Sequence, residues 1–254
     1  MATRAGSVTA AFEREHRFFF ITACIMALVL VAGFSTSLAF GRSSFTLPLL
    51  FHLHAFTFFG WVALYLLQTG LASTGSIRLH KQLGWLALGW VPAMVVLGTV
   101  LTLHSVRQTG APFFFDKNEF LVGNLLGLPL FAVMVGAAIV LRRRTDWHRR
   151  MMLCAMASIT GPGFGRLLPM PFLIPWAWWL AAVLFPSLFI IAGMIADRRR
   201  TGRVHAAYFW GLGLLVGTQI LVDVIAYSPV GYAMTEAVTA GYPGAARPMR
   251  AHFP

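Results

Sequence analysis

Apolar runs long enough to cross a bilayer recur along this chain, at about 18–40, 49–72, 82–104, 119–141, 151–168, 173–196 and 206–228. No other feature restricts the fold so strongly. Hydrocarbon offers no hydrogen bonds, so runs of this length must satisfy their own backbone, and at these lengths that means helices. Composition agrees, with 58% hydrophobic and 11% charged residues and a mean hydropathy of +0.73, far from the roughly 25% charge of a soluble domain. The expected architecture is an all-α, seven-transmembrane helix bundle. Its fifth span carries Gly161, Pro162, Gly163, Gly165 and Arg166 and is therefore expected to be short or broken, its far end buried in protein.

Basic residues sort by side. Fourteen of the 20 Lys and Arg fall before the first span, between spans two and three, four and five (Arg142–Arg144, Arg149, Arg150), or six and seven (Arg198–Arg200, Arg203). Short Lys- and Arg-rich loops stay cytoplasmic. The amino terminus is thus expected inside and the carboxyl terminus outside, in a multi-pass membrane protein. Residues 1–17 read as a cytoplasmic segment, 18–231 as the membrane domain and 232–254 as an external, flexible tail. Phe18 to Phe40 is too long for the apolar core of a cleavable signal and reads as the first span. The net charge of +12 sits in short clusters between spans, which argues for topology and against nucleic acid. Cys24 and Cys154 both lie in apolar runs and read as small buried thiols.

Span two, FHLHAFTFFGWVALYLLQTG from Phe51 to Gly70, carries the polar signal. At about 100° per residue His54, Trp61, Tyr65 and Gln68 fall within roughly 60° of one another, a stripe that lipid will not accept. His52 lies about 160° from His54 on a helix, so only His54 faces inward unless the helix start is unwound at Pro48. With this topology the histidines form two layers. The outer layer is His52, His54 and His104, with Glu119, Arg166, Gln219 and Asp223 at the same depth; the inner layer is His80 and His148. Asp223 sits between ILV and VIAY, deep enough to require a partner, for which Arg166 and the outer histidines are available. The run Trp176, Trp178, Trp179 reads as an interfacial belt. Gly84, Gly89, Gly211, Gly213 and Gly217 permit close helix approach.

Neutral imidazole binds transition metals and haem iron, and a carboxylate commonly orients such a ligand. The outer layer (His52, His54, His104, Glu119, Asp223) accordingly reads as a metal or haem site, with Arg166 available to an anionic group. His80 and His148, on neighbouring spans, read as a pair able to hold iron between them. Tyr65, Gln68 and Gln219 line a polar path between the layers. Histidines beside Lys or Arg at a membrane edge also serve simply as part of the basic cluster. His80 and His104 are separated by about 36 Å of helix, which weighs against two closely coupled haems.

The segments LHKQLGWLALGW (79–90), with YLLQTGL upstream, and DWHRRMMLCAMASITGPGFGRLLP (146–169) resemble uncharacterised bacterial polytopic membrane proteins that share a basic His–Leu–Gly element and an HRRxML element. That group is loosely similar to membrane b-type cytochromes and haem-handling proteins, in which histidines start the helices of a four-helix core. The resemblance singles out Gln68, His80, Gly84, His148, Arg149 and Arg166. It assigns none of them an activity; the histidine-lined site itself carries the expectation of haem b or a transition metal as cofactor, and of electron transfer or redox chemistry on a lipid-soluble substrate such as a quinone. A proton-coupled small-solute transporter or receptor-like protein, and a non-catalytic assembly or scaffold subunit, are the alternative expectations. The lipid bilayer is the expected partner, and homo-oligomers are compatible with the sequence.

Overall fold

The computed structural model describes residues 2–251, with side chains from residue 15 onward. His252 and the side chains of residues 1–14 lie outside the described residues. All regular structure is helical among the described residues. Six helices are long and apolar enough to cross a membrane, at Glu15–Ala39, Leu49–Ser73, Ala87–Thr109, Lys117–Val140, Ala177–Thr201 and Ala206–Ala226. We label the helices α1 (Ala2–Ala39), α2 (Leu49–Ser73), α3 (Ile77–Gly84), α4 (Ala87–Thr109), α5 (Lys117–Val140), α6 (Thr145–Ser158), α7 (Gly161–Leu167), α8 (Ala177–Thr201), α9 (Ala206–Ala226) and α10 (Pro229–Thr239). Leu28, Val96, Val133, Trp210 and Val224 are each exposed by 59% or more, the outward apolar surface that a bilayer accommodates. The core inside holds Met26, Trp61, Met94, Phe131, Met134, Leu153, Met156 and Tyr208.

The expected fifth span contains two helices, α6 of 14 residues and α7 of 7. Pro162, in the first turn of α7, has no N–H to continue the ladder from α6, and Thr160 Oγ1 donates instead to the Ala157 carbonyl at 2.7 Å. Glycine lets α7 settle on α1. A Cβ on Gly33 would stand 2.5 Å from the Gly163 carbonyl oxygen, and one on Gly163 would stand 2.9 Å from that of Val29, so the two backbones meet directly. In α8 the turn Leu180–Leu184 is π-helical. The cause is Pro186, which cannot donate to the carbonyl four residues back, so the hydrogen-bond register widens before it. Of the glycines expected to mediate packing, Gly211 abuts Cys154, whereas Gly89, Gly213 and Gly217 have nothing within 4 Å of a built Cβ.

Two sequence expectations need correction. The amino-terminal segment continues into the first span as one helix, α1, because no breaker interrupts residues 2–39. The segment expected to be a flexible tail holds α10 and a 3₁₀ turn at Pro243–Ala246, with Thr235 and Thr239 buried. Basic side chains fasten it. Lys117 Nζ donates to the carbonyls of Gly244 at 3.1 Å and Arg247 at 2.8 Å, and Arg107 Nε to that of Val238 at 3.2 Å. Arg247 in turn donates to the carbonyls of Gly110, Phe113 and Phe115. Irregular backbone leaves carbonyls that must be paired, and these cations pair them.

The Gly33–Gly163 contact is testable by thermal unfolding in detergent. Gly33→Val or Gly163→Val should each cost about 1–3 kcal/mol, the usual penalty for forcing extra atoms into a packed interface. Gly213→Ala, with open space around it, should leave the transition unchanged.

Candidate functional site

Two short connections build the site. At the end of α2, Gly75 adopts φ +78, a left-handed conformation that favours glycine. The chain thereby turns back, and α3 brings His80 against the helix it has just left. His80 Nδ1 donates to the Gln68 carbonyl at 3.3 Å. Between α5 and α6 the turn 141–144 reverses the chain again, and His148 Nδ1 donates to the Ala138 carbonyl at 2.8 Å. Ala138 is among the last four carbonyls of α5, which lack a partner within their own helix. Both imidazoles are thus held by backbone acceptors rather than by each other.

The rings of His80 and His148 stand 6.2 Å apart, centre to centre, with their planes at 83°. Since Nδ1 faces a carbonyl in each, Nδ1 carries the proton and Nε2 offers a lone pair. Neither Nε2 has a hydrogen-bond partner among the described residues. Burial pushes both imidazoles below their ordinary pKa. The carbonyl contacts act the other way, while Lys81 adds to the lowering at His80 and the neighbouring ring to that at His148. Beside them the Gln68 side chain has both polar atoms buried without a partner, a cost of about 1–3 kcal/mol for each group that a ligand would remove.

Along α2 the helical phase places the residues as periodicity indicates. Trp61 and Tyr65 are buried, His54 is half-buried against Phe58 with ring centres 4.1 Å apart, and His52 is exposed with Nε2 on the Leu47 carbonyl at 3.0 Å. His54 Nδ1 and Trp61 Nε1 join Gln68 as buried atoms without hydrogen-bond partners. The stripe leads from the outer layer to the His80–His148 pair.

The outer layer does not converge as the sequence implied. His104 lies edge-on to Phe51 at 5.6 Å, and His52 and His54 are occupied as above. Asp223 meets neither Arg166 nor these histidines. Its carboxylate accepts from Gln219 Nε2 at 2.8 Å and Trp179 Nε1 at 2.9 Å, while Trp178 Nε1 donates to Gln219 Oε1 at 2.9 Å and Gln219 Nε2 approaches Glu119 Oε1 at 3.4 Å. Two indoles expected in an interfacial belt thus serve as internal donors, and Trp176 alone of the three stays 66% exposed. Arg166 instead lies 3.9 Å from the centre of the Phe34 ring and donates to the Pro162 carbonyl at 2.9 Å. Among the described residues no group of three or more His, Cys, Asp or Glu side chains is placed to hold a metal ion. Among the described residues His52, His54, His104, Glu119 and Asp223 are not brought together as one ligand set.

The strongest polar contact in the protein was not singled out from sequence. Arg150 of α6 makes a two-pronged ion pair with Asp197 of α8, both bonds at 2.8 Å. Glu15 of α1 joins Arg149 at 2.7 Å, Arg150 at 3.0 Å and Arg200 at 3.3 Å, and His205 Nε2 meets Asp146 Oδ2 at 3.0 Å. Four helices are tied at the basic end of the bundle. A hint was available: Asp197 stands directly before a run of three arginines, ADRRR, and Asp146 and Arg150 are one helical turn apart.

No family model, curated protein or solved structure matches the chain.

Two measurements check this geometry. Asp197→Asn leaves Arg150 buried without its main counter-charge and should cost about 3 kcal/mol or more by thermal unfolding at neutral pH, whereas Arg200→Gln, at a more exposed pair, should cost less than about 1 kcal/mol. The folded-state pKa of His80 and His148 lies below the unfolded value of about 6.5, so protons bind the unfolded chain first as pH falls. Stability should be full above that value and decline as pH drops below it. A thermal-midpoint profile of the His80→Gln/His148→Gln double variant should be flatter over the same range.

Proposed function

We propose that this chain is a redox-active multi-pass protein of the bacterial inner membrane, whose His80–His148 pair binds haem b or a transition metal and serves electron transfer or redox chemistry on a lipid-soluble substrate such as a quinone. The observation that carries the reading is the placement of the two imidazoles: each fixed through Nδ1 on a backbone carbonyl, Nε2 left outside those bonds, ring centres 6.2 Å apart. Two imidazoles this close would be able to share one bound metal ion, given metal–nitrogen bonds of about 2 Å. A backbone carbonyl on the second ring nitrogen is the usual orienting partner of a ligand histidine.

His80 and His148 would hold the group, and Gln68 would hydrogen-bond to it or to its bound substrate. The bound group would supply one-electron chemistry. What the chain itself contributes is orientation of the rings, exclusion of water by burial, and the polar stripe His54–Trp61–Tyr65–Gln68 approaching from the far side. The HKQLG and HRRMML elements that resemble those of uncharacterised bacterial polytopic membrane proteins are the ones that deliver these two rings.

The same reading takes α6 and α7 together as a broken fifth of seven crossings, with the amino terminus inside and the carboxyl terminus outside. Two contacts support it. α6 begins in the Arg150–Asp197 network at the basic end, and α7 finishes with Arg166 over Phe34, near the opposite end of α1. The carboxylates Glu119 and Asp223, joined through Gln219, favour a second reading, a proton-coupled transporter of a small solute.

Purification in detergent from haem-replete cells, followed by a visible spectrum and metal analysis, separates the two. The redox reading expects a haem absorbance or a stoichiometric transition metal, lost in His80→Ala and in His148→Ala but retained in His52→Ala. Colourless, metal-free protein overturns it.

A further inference from the structure

We infer that α3 and the α5–α6 turn form a binding site for the phosphate of an anionic phospholipid, centred on Arg78, Lys81, Trp85 and Arg142. The inference is independent of the redox reading and rests on charge balance, helix phase and one inter-element contact.

At the basic end the described acidic side chains are already used. Glu15 pairs with Arg149, Arg150 and Arg200, Asp197 with Arg150 and Arg200, and Asp146 with His205. Arg78, Lys81 and Arg142 have no ion-pair partner among the described residues and all three are exposed. Their charge needs an external anion or bulk counter-ions.

Helix α3 is built to lie on a bilayer surface. It has eight residues and buries none of them. Ile77 and Leu79 are 41% and 44% exposed, and Trp85 and Leu86, just beyond it, 55% and 49%. A short helix with apolar side chains on show and cations between them is an interfacial anchor. Residues 78, 81 and 85 lie within about 60° of arc, while His80 is roughly 160° from Arg78, on the side turned to Gln68. One helix therefore presents His80 inward and the cations outward.

Arg142 closes the site from another element. Its guanidinium carbon stands 5.5 Å above the Trp85 ring, and Nη1 donates to the Ile139 carbonyl at 3.2 Å. Stacked on an indole and tied by one bond, the guanidinium is oriented while its other N–H groups stay available for a phosphate oxygen. Tryptophan is favoured where headgroup meets acyl chain, and Trp85 is 55% exposed just beyond α3. Basic pockets between helices at the cytoplasmic surface bind acidic headgroups in this way.

The test uses the full chain in detergent and native mass spectrometry, titrating phosphatidylglycerol in the presence of phosphatidylcholine. Wild type should retain phosphatidylglycerol selectively. Each cation near an anionic headgroup contributes about five-fold in affinity, so Lys81→Gln/Arg142→Gln should bind about 30-fold more weakly. The control Arg198→Gln/Arg199→Gln removes the same charge from exposed positions elsewhere at that end and should change binding by less than about three-fold. Equal retention of both lipids by wild type overturns the proposal. So does an equal loss in the control, which would mean diffuse surface charge, or displacement of the lipid by inorganic phosphate at matched concentration, which would mean a site for free anions.

Discussion

The buried pair between Arg150 and Asp197 sets the frame for the basic end of this protein. Two charges removed from water require close geometry and full hydrogen bonding to be tolerated, and here both bonds are 2.8 Å, with Glu15, Arg200 and the Asp146 carbonyl completing the set. The pair joins α6 to α8, Glu15 adds α1, and the neighbouring His205 and Asp146 add α9. Once these helix ends are tied, α6 starts at a fixed height. His148, two residues before Arg150 in the same helix, is then presented to the carbonyl that α5 leaves open.

The opposite end relies on a different economy. Three of its cations, Arg107, Lys117 and Arg247, bond to backbone carbonyls of the closing segments; of its acids, Asp116 pairs with Arg250, whereas Glu119 and Asp223 meet amide and indole donors. A carboxylate that receives neutral donors needs no arginine. Arg166 is therefore free to cover Phe34, and the outer histidines are left to ring stacking and loop contacts. The chemistry that remains open in the interior is concentrated instead at the His54 to Gln68 stripe and the His80–His148 pair, where several buried atoms lack partners.

Much of this was legible from residue order. Period and length marked the long helices, and the angular spacing of His54, Trp61, Tyr65 and Gln68 separated the inward face of α2 from His52. The pairing of His80 with His148 was legible too, since both begin segments at the same end. The outer layer was misread because depth was used as a substitute for direction. His104 stands against Phe51 and Asp223 bonds Gln219 and Trp179; such partners depend on the rotation of each helix about its axis, and hydropathy carries no information on rotation when a helix is apolar all round. The tail was misread for a related reason: Gly, Pro and Ala show no period, and the cations that fasten it lie more than 120 residues earlier in the chain.

The sequence by itself determined that the chain is helical and built for hydrocarbon, because runs of this length and composition have no other way to satisfy their backbone in lipid. It also determined where His80 and His148 fall relative to the basic turns. Only the tertiary structure decided which polar groups meet. That choice depends on the rotation of each helix about its axis, on the glycine contact of α1 with α7, and on the turns at Gly75 and 141–144 that fold α3 and α6 back against their predecessors. Those are set by side-chain packing between segments far apart in sequence, and no local pattern encodes them.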